Sequence, residues 1–415
     1  MMPPPLTLTE GQPAELVTLT VAEYEALHQL ALVDVTPTLE LGWYEVAAGR
    51  KIGAATVGGR QIVVRPKITD LNRLVFLLGY AQRSEIWRDD RVQLTPADEL
   101  LPALAEAFSR LAARAVEAGL LMGYRTVTDT LPVLRGRMLA GEQVTRLYGM
   151  PVPLAVEYDD FTVDIAENRL LLLATLRMLR VPGISEPARR RLQRLRRTLV
   201  DVTTPRTRPA WTPSRLNNRY HAALQLAAIV LAAESFEQHV GTLTVTGFMF
   251  DMWRIYEDFV TVALSEALPP SGGSCSAQYP MTMDEADEVR MRPDLVWLGP
   301  DSTAWAVIDA KYKAERPDGF PDADLYQLLA YCTVLGLGDG HMVYAKGNEP
   351  VRSHQVRRAG VTIHCHALDL SSPPEALMAE VGRLADRIDH VASGSAVSGR
   401  NPRRRRGSQP RPATP

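Results

Sequence analysis

The amino-acid sequence predicts a mixed α/β protein of several domains, with a β-rich front, a helical middle and a C-terminal α/β part. Alternating apolar runs on both sides of Gly58-Gly59 indicate a hairpin near the start of the chain. Residues 166–240 read mainly as helices, and beyond residue 245 strand-like and helix-like patterns alternate. With 415 residues, the chain exceeds one typical domain, so two or three domains are expected.

The expected domain boundaries follow these changes of pattern. The β-rich module is followed by a helical region with a basic helix, and then by an α/β core. A final tail rich in Arg, Pro, Gly and Ser cannot bury a core, so we expect it to be disordered. The four segments are 1–165, 166–244, 245–392 and 393–415.

Helix signals in the front segment are local and specific. An apolar and acidic stretch over 21–32 predicts a first helix. Thr69 or Asp70 fits the N-cap of a second helix, and Thr95 fits the cap of a third. Gly119 is the expected stop of that third helix. After it, the sequence predicts a mainly extended chain up to about residue 165.

The helical middle contains a strongly basic segment. Leu192, Leu195 and Leu199 give this helix one apolar seam. Six arginines lie around the seam within nine residues, namely Arg189, Arg190, Arg191, Arg194, Arg196 and Arg197. The pattern is compatible with a ridge that follows a DNA backbone, with a face for an acidic partner, and with an ordinary solvated helix.

Composition limits the class of protein. Cys275, Cys332 and Cys365 are few, widely spaced and odd in number, which predicts a reducing cytoplasm rather than a disulfide framework. No signal peptide, no apolar run of about 20 residues and no Walker-type phosphate loop is evident. His364 and His366 share a strand face without a second ligand pair nearby, so we interpret them as structural rather than zinc-binding.

Three residues near two strand ends point to phosphodiester chemistry. Asp294 begins the apolar run over 294–298, and Asp309 and Lys311 end the run over 305–311. Two carboxylates and a lysine separated by a strand–turn–strand length form the layout of a metal-dependent phosphodiesterase. Because side chains two residues apart on a strand share a face, Lys311 is expected beside Asp309.

The chemistry explains these residue types. Mg²⁺ prefers oxygen ligands and keeps several waters, so one or two carboxylates suffice, and Mn²⁺ is the alternative ion. We therefore interpret Asp294 and Asp309 as metal ligands and Lys311 as the group that orients water or stabilises developing charge. Lys313 continues the alternation and is the second candidate lysine. Taken alone, the pattern also fits two solvated strand ends.

Two predicted helices flank these strands. The apolar spacing over 250–268 predicts a helix in which Glu257 lies close to the apolar stripe. Glu257 is a candidate third carboxylate ligand, and a surface acid is the alternative interpretation. A downstream helix over 322–335 carries Gln327 and Tyr331 four residues apart, hence on one face, where they can brace the site.

The order helix-Glu, strand-Asp, strand-Asp-x-Lys, helix-Gln-x-x-x-Tyr resembles the PD-(D/E)xK nuclease superfamily. Four further segments resemble the McrC family, the nuclease subunits of McrBC-type, modification-dependent restriction systems. They are residues 59–81, 119–138, 158–176 and the helix "MWRIYEDFV". The resemblance runs from about residue 40 to about residue 390.

This resemblance implies a C-terminal restriction-endonuclease-like domain and a Mg²⁺-dependent endonuclease subunit that cuts modified double-stranded DNA. It also implies a partner, a hexameric AAA+ NTPase of the McrB type, which the front module would meet and stimulate. Arg60, Arg65 and Lys67 flank the hairpin and are the expected contacts. Two other functions stay open: a regulatory subunit of the ring with weak nuclease activity, and a stand-alone RecB-like repair nuclease.

Overall fold

A computed structural model describes residues 4–29, 31–68, 70–82, 100–181, 183–240, 243–268, 273–312, 322–345 and 352–398. They form two compact units, Met1–Ile255 and Tyr256–Pro415. Helices and several sheets occur together, which confirms the predicted mixed α/β class. The predicted caps Thr69 and Thr95, the second lysine Lys313 and the tail beyond residue 398 lie outside the described residues.

The first unit combines sheets with a group of helices. Its strands are β1 Leu6–Thr9, β2 Glu15–Thr18, β3 Asp34–Pro37, β4 Trp43–Ala47, β5 Lys51–Val57, β6 Arg60–Arg65, β7 Gly123–Leu131, β8 Arg137–Met138, β9 Leu154–Thr162, β10 Glu234–Val240 and β11 Leu243–Asp251. Its helices are α1 Val21–Gln29, α2 Leu71–Gln82, α3 Leu100–Val116, α4 Ala140–Thr145, α5 Ala166–Met178, α6 Glu186–Thr198, the 3-10 helix Arg215–Tyr220 and α7 His221–Ala232. Helix α8, Met252–Ala267, begins in this unit and continues into the second.

The largest sheet of the first unit has the strand order β1-β6-β5-β11-β10. Strands β5 and β6 form the predicted antiparallel hairpin. Its turn consists of Gly58 and Gly59, with φ values of 56° and 90°. Two consecutive positive φ values are typical of a type I′ turn, and glycine adopts them without steric cost. The hairpin prediction is therefore confirmed.

The region 166–244, expected to be helical, ends in a strand. Strand β10 pairs antiparallel with β11, and β11 pairs with β5 of the front sheet. The β-branched and aromatic residues of "LTVTGFMF" suit a pleated sheet. Their alternation with a period of two ends the helical pattern that was predicted up to residue 240. The boundary expected at residue 245 thus falls within a sheet of the first unit, which extends to Ile255.

The extended chain predicted before residue 165 is present as β7, β8 and β9, with the short helix α4 as an unpredicted interruption.

The carboxylate of Asp164 joins this sheet to the helices. It accepts hydrogen bonds from Arg169 at 2.7 Å, from Arg125 at 2.6 Å and from the Thr203 amide at 3.0 Å. The Arg169 hydrogen bond is the main reason that the pKa of Asp164 lies well below its usual range.

The second unit is built on a six-stranded sheet of order β12-β15-β16-β17-β19-β18. Its strands are β12 Ser274–Ala277, β13 Met281–Thr282, β14 Arg290–Met291, β15 Leu295–Leu298, β16 Ala304–Lys311, β17 Asp339–Ala345, β18 Arg352–Gln355 and β19 Thr362–Leu368. Its complete helices are α9 Asp322–Leu335 and α10 Pro374–Ser398. Helix α9 has the predicted bounds. Helix α10 continues to Ser398, so the segment from 393, expected to be disordered, begins as helix.

Two observations bear on the class of protein. Among the described residues, no helix is long and apolar enough to cross a membrane. Cys275, Cys332 and Cys365 are all free thiols.

The histidines of β19, His364 and His366, share a face as predicted. Their rings stack with the ring of His341 of β17, at centroid distances of 5.1 and 5.4 Å.

Helix α9 packs directly on the central strands of the second unit. Leu328, Tyr331 and Cys332 of α9 join Val296 and Met342 of the sheet in one buried cluster. The close approach depends on Gly340 in β17. A Cβ atom at Gly340 would lie 2.5 Å from Cys332 Sγ and 3.1 Å from Leu328 Cγ. The sheet and the helix can therefore meet at this point because residue 340 has no side chain.

We expect Gly340→Ala to lower the free energy of unfolding by about 1–3 kcal/mol, because overpacking a filled core forces atoms apart. Urea unfolding would measure the loss. Gly338→Ala is the matched control, since its Cβ would meet only a carbonyl oxygen at 3.8 Å. Adding Cys332→Ala to Gly340→Ala should recover part of the loss. Equal losses in Gly338→Ala and Gly340→Ala would contradict this account.

Candidate active site

The pairing of β15 with β16 brings the two predicted aspartates together. The antiparallel register pairs Leu295 with Ile308, so the next residues along, Asp294 and Asp309, lie at the same end of the strand pair. Asp294 is 7% exposed and Asp309 only 1%. Two buried carboxylates at one place are costly, because each loses hydration and their charges repel.

Asp294 is held by two hydrogen bonds that fix both carboxylate oxygens. The backbone N–H of Ala310 donates to Oδ2 at 2.9 Å, and Gln278 Nε2 donates to Oδ1 at 3.0 Å. The N–H of Gln278 also donates to the Asp294 carbonyl at 2.8 Å. Gln278 adopts a left-handed φ of 49° just after β12. Reasoning from the sequence missed Gln278, because its position depends on the pairing of β12 with β15.

Lys311 forms a buried ion pair with Asp309. Its Nζ lies 2.5 Å from Asp309 Oδ2, and the lysine side chain is 11% exposed. This contact confirms the predicted shared face. Burial raises the pKa of Asp309, and the charge of Asp294 adds to the effect. Burial works to lower the pKa of Lys311, but the nearby carboxylates, Asp309 foremost, outweigh it and raise that pKa. The site therefore keeps an ammonium group among its acids.

Glu257 contributes a third carboxyl group from α8. Burial raises its pKa to about 7, and the charge of Asp294 and, more weakly, of Asp309 acts in the same direction. Glu257 is thus near enough to both aspartates to feel their charge. Within the described ranges, however, no three or more His, Cys, Asp or Glu side chains are grouped to hold a metal ion. The role of Glu257 as third ligand stays a prediction.

Gln327 and Tyr331 lie on one face of α9, as their spacing predicts. Gln327 Nε2 donates a hydrogen bond to Tyr331 Oη at 2.8 Å, and Tyr331 Oη donates to the Arg292 carbonyl at 3.5 Å. Burial raises the pKa of Tyr331 to about 12, and the charge of Asp309 contributes. The phenol is therefore neutral at ordinary pH and braces the backbone two residues before Asp294.

The residues present fit a hard divalent cation. Glu257 and Asp309 have raised pKa values because acids are buried close to other acids. A divalent cation offsets such repulsion directly. Mg²⁺ needs only one or two protein carboxylates and completes its shell with water, so the pair Asp294 and Asp309 suffices. All six predicted site residues thus come together in the second unit, and their catalytic roles stay predictions.

Comparisons with known proteins bear on the fold and the family of this chain. A comparison with curated proteins finds no match. A chain of a "refined half-complex from tetradecameric assembly of Thermococcus gammatolerans McrB AAA+ hexamers with bound McrC" matches with a TM-score of 0.54 and 16% identity, over 92% of this chain and 100% of that chain. A chain of the T. gammatolerans McrBC complex, solved by cryo-EM, has a TM-score of 0.36 and 17% identity, over 63% of this chain and 87% of that chain.

At 16% identity, the first structural match shows a shared fold. The sequence comparison is more direct. A profile of the family described as "McrBC 5-methylcytosine restriction system component" matches residues 46–345, well over half of the chain. This match confirms the resemblance found from sequence motifs. The protein belongs to the McrBC 5-methylcytosine restriction system component family.

Proposed function

We propose that this chain is the nuclease subunit of a McrBC-type restriction system and cleaves double-stranded DNA that contains 5-methylcytosine. The observation that carries the proposal is the meeting of Asp294, Asp309 and Lys311 at one buried strand end, with Glu257 nearby, in a chain of this family. The intact acid and lysine set favours an active nuclease over a purely regulatory subunit. Family membership favours a restriction system over a stand-alone repair nuclease.

Each site residue has a defined part in this proposal. Asp294 and Asp309 would hold Mg²⁺ or Mn²⁺, and Glu257 would be the third acid. The bound ion supplies neutralisation of the phosphate charge and activation of water. Lys311 keeps an ammonium group beside Asp309, where it can stabilise charge that develops on the phosphate. Gln327 and Tyr331 brace the backbone that leads into Asp294.

The proposal includes association with a hexameric AAA+ ring of the McrB type. Support comes from the fold shared with a chain of an assembly described as McrB AAA+ hexamers with bound McrC. One of the three expected contact residues does not fit this role. Arg60 is buried, pairs with Glu23 at 3.1 Å and donates to the Thr18 carbonyl, so its expected role as an exposed contact is wrong. Arg65 remains exposed.

A better candidate for the ring contact is an apolar patch on the sheet of β7, β8 and β9 and the segments that join them. We define this apolar patch by its exposed large side chains, Met122, Tyr124, Val133, Leu134, Met138, Val144, Tyr148, Met150, Val152 and Phe161. Concentrations of exposed apolar residues usually mark protein–protein contacts. Tyr124 and Phe161 face each other across β7 and β9 with ring centroids 5.1 Å apart.

The nuclease assignment predicts that Asp309→Asn or Lys311→Gln lowers DNA cleavage by at least about 100-fold, because a ligand or a charge stabiliser is lost. Cleavage would be measured on methylated duplex DNA with the McrB-type partner, nucleotide and Mg²⁺. Chelation by EDTA should also stop cleavage. Asp301→Asn, at the far turn of the same strand pair, is the matched control and should cut normally.

Stimulation of the partner's nucleotide hydrolysis is the second readout in this experiment. Asp309→Asn should still stimulate the partner, which would show that the chain is folded and bound. Full cleavage by Asp309→Asn would refute the nuclease assignment.

Glu257→Gln should raise the Mg²⁺ concentration required for cleavage in the same assay, because a carboxylate ligand is lost. An unchanged Mg²⁺ titration would mean that Glu257 is a surface acid and not a metal ligand.

Gln278 is expected to act as a positioning residue for Asp294. Gln278→Asn keeps the amide and tolerates the left-handed backbone but is one methylene too short to reach Oδ1. We expect the Mg²⁺ requirement for cleavage to rise about 10-fold or more, as for other groups that orient metal ligands. Ser302→Asn, a substitution at another left-handed position, is the control. An unchanged Mg²⁺ titration with Gln278→Asn would refute the role.

The apolar patch predicts a specific loss of binding to the ring. Tyr124→Ser with Phe161→Ser should weaken ring binding about 10-fold or more, because buried aromatic residues dominate interface energies. Binding and stimulated nucleotide hydrolysis would both be measured. The full chain is required, since a fragment ending at 165 would lack β11, the partner of β5. Met283→Ser with Val289→Ser is the matched exposed control. Normal binding by the first double variant would exclude this face.

A further inference from the structure

Helix α6 presents a stripe of arginines to solvent. Arg190, Arg194 and Arg197 recur at i, i+4 and i+7, so they lie on one side of the helix, and all three are exposed. We name this set the arginine ridge. Leu192 and Leu195 lie on the opposite side and are buried. The helix therefore separates an apolar seam, which faces the protein, from a basic face that meets water.

The protein itself neutralises little of the ridge. Arg190 contacts Glu186 at 3.4 Å, but both side chains are more than 60% exposed, and such pairs contribute little. Arg197 Nε donates to the Gln193 carbonyl, which carries no net charge. Across the described part of the chain, no carboxylate lies within 4 Å of Arg194 or Arg197. The ridge thus keeps most of its positive charge available.

Folding does not explain the ridge. The helix contains six arginines against one glutamate, and like charges three or four residues apart weaken a helix. Stability comes from elsewhere. The Ser185 hydroxyl accepts the Ala188 N–H at the N-cap, and Arg191, on the flank, contacts Glu106 of α3. The outward arginines add repulsion without adding any packing, so a ligand is the better explanation for them.

We propose that the arginine ridge binds the phosphate backbone of duplex DNA, as a contact in the first unit additional to the candidate active site in the second. The inference rests on the proposed function in one respect, that DNA is the substrate. From Arg190 to Arg197 the helix rises by about 10 Å, and duplex DNA carries a charge about every 1.7 Å along its axis. Several phosphates are therefore within reach of the ridge.

The composition of the face favours DNA over an acidic protein. Protein-binding faces have apolar and aromatic centres with few charges. Between Glu186 and Thr198, all of it described, no large apolar side chain is exposed. Arg189 and Arg196 flank the ridge and extend its charge to one side. DNA-binding surfaces are polar and strongly positive in this manner, and arginine donates to phosphate in a fixed fork.

The test compares DNA binding by full-length variants in EDTA, where no cleavage is needed. The ridge variant is Arg190→Gln, Arg194→Gln and Arg197→Gln. The slope of log K against log salt is negative, and each lost phosphate contact should reduce its magnitude by about 0.9, so the total reduction should be about 3. A fluorescent DNA duplex titrated at several salt concentrations measures this slope by anisotropy. Replacing the same three arginines with lysine should largely restore it.

The matched control removes three arginines that lie outside helix α6, elsewhere in the first unit. Arg73, Arg137 and Arg146, each changed to Gln, give the same change of formal charge. This control should keep the wild-type slope. The Arg-rich tail is present in every variant, so its affinity for phosphate cancels. Thermal unfolding of the ridge variant should match the wild type, because the substituted side chains are exposed.

Two outcomes would overturn the inference. One is a salt slope that stays at the wild-type value in the ridge variant, or a slope whose magnitude falls equally in the control. The other is normal DNA binding with lost binding to the McrB-type partner, which would make the ridge a site for an acidic protein. The nuclease proposal fails separately, because a wild type that binds DNA through the ridge but never cleaves it refutes only catalysis.

Discussion

The burial of two carboxylates at one strand end is the constraint on which the second unit depends. Asp294 and Asp309 reach this point because β15 and β16 pair in a register that joins Leu295 to Ile308. Moving either side chain to water would require breaking that register, which also buries Val296 and the rest of the strand core. The packing of the apolar residues therefore holds the acids in place against their repulsion.

The surrounding groups compensate this charge in different ways. The Ala310 amide and the Gln278 side chain donate hydrogen bonds to the two carboxylate oxygens of Asp294. Lys311 provides an opposite charge to Asp309. Burial and the charge of Asp294 raise the pKa of Glu257 to about 7, and the positive charge of Lys311 offsets them only in part. The site is thus incompletely neutralised by protein groups, which is the condition under which a hard cation binds well.

Local pattern was sufficient for features that depend on neighbours in sequence. The turn at Gly58-Gly59, the bounds of α9 and the shared face of Asp309 and Lys311 all follow from spacing, and all are present. Features that depend on distant pairing were missed. Gln278 reaches Asp294 through the β12–β15 register, and β10 exists because β11 adds to the front sheet at β5. Periodicity holds no information on which strands pair.

The candidate active site and helix α6 carry charge of opposite sign. A formal net charge of −2 does not predict attraction to DNA. The second unit buries several acids in its candidate site, so that site repels a phosphate until a cation is bound. Affinity for a polyanion must then arise from positive charge elsewhere on the chain. The described helix α6, with six arginines and one glutamate, supplies it. In the proposed function, catalysis and DNA binding therefore require opposite charges, and the residues proposed for them lie in separate units.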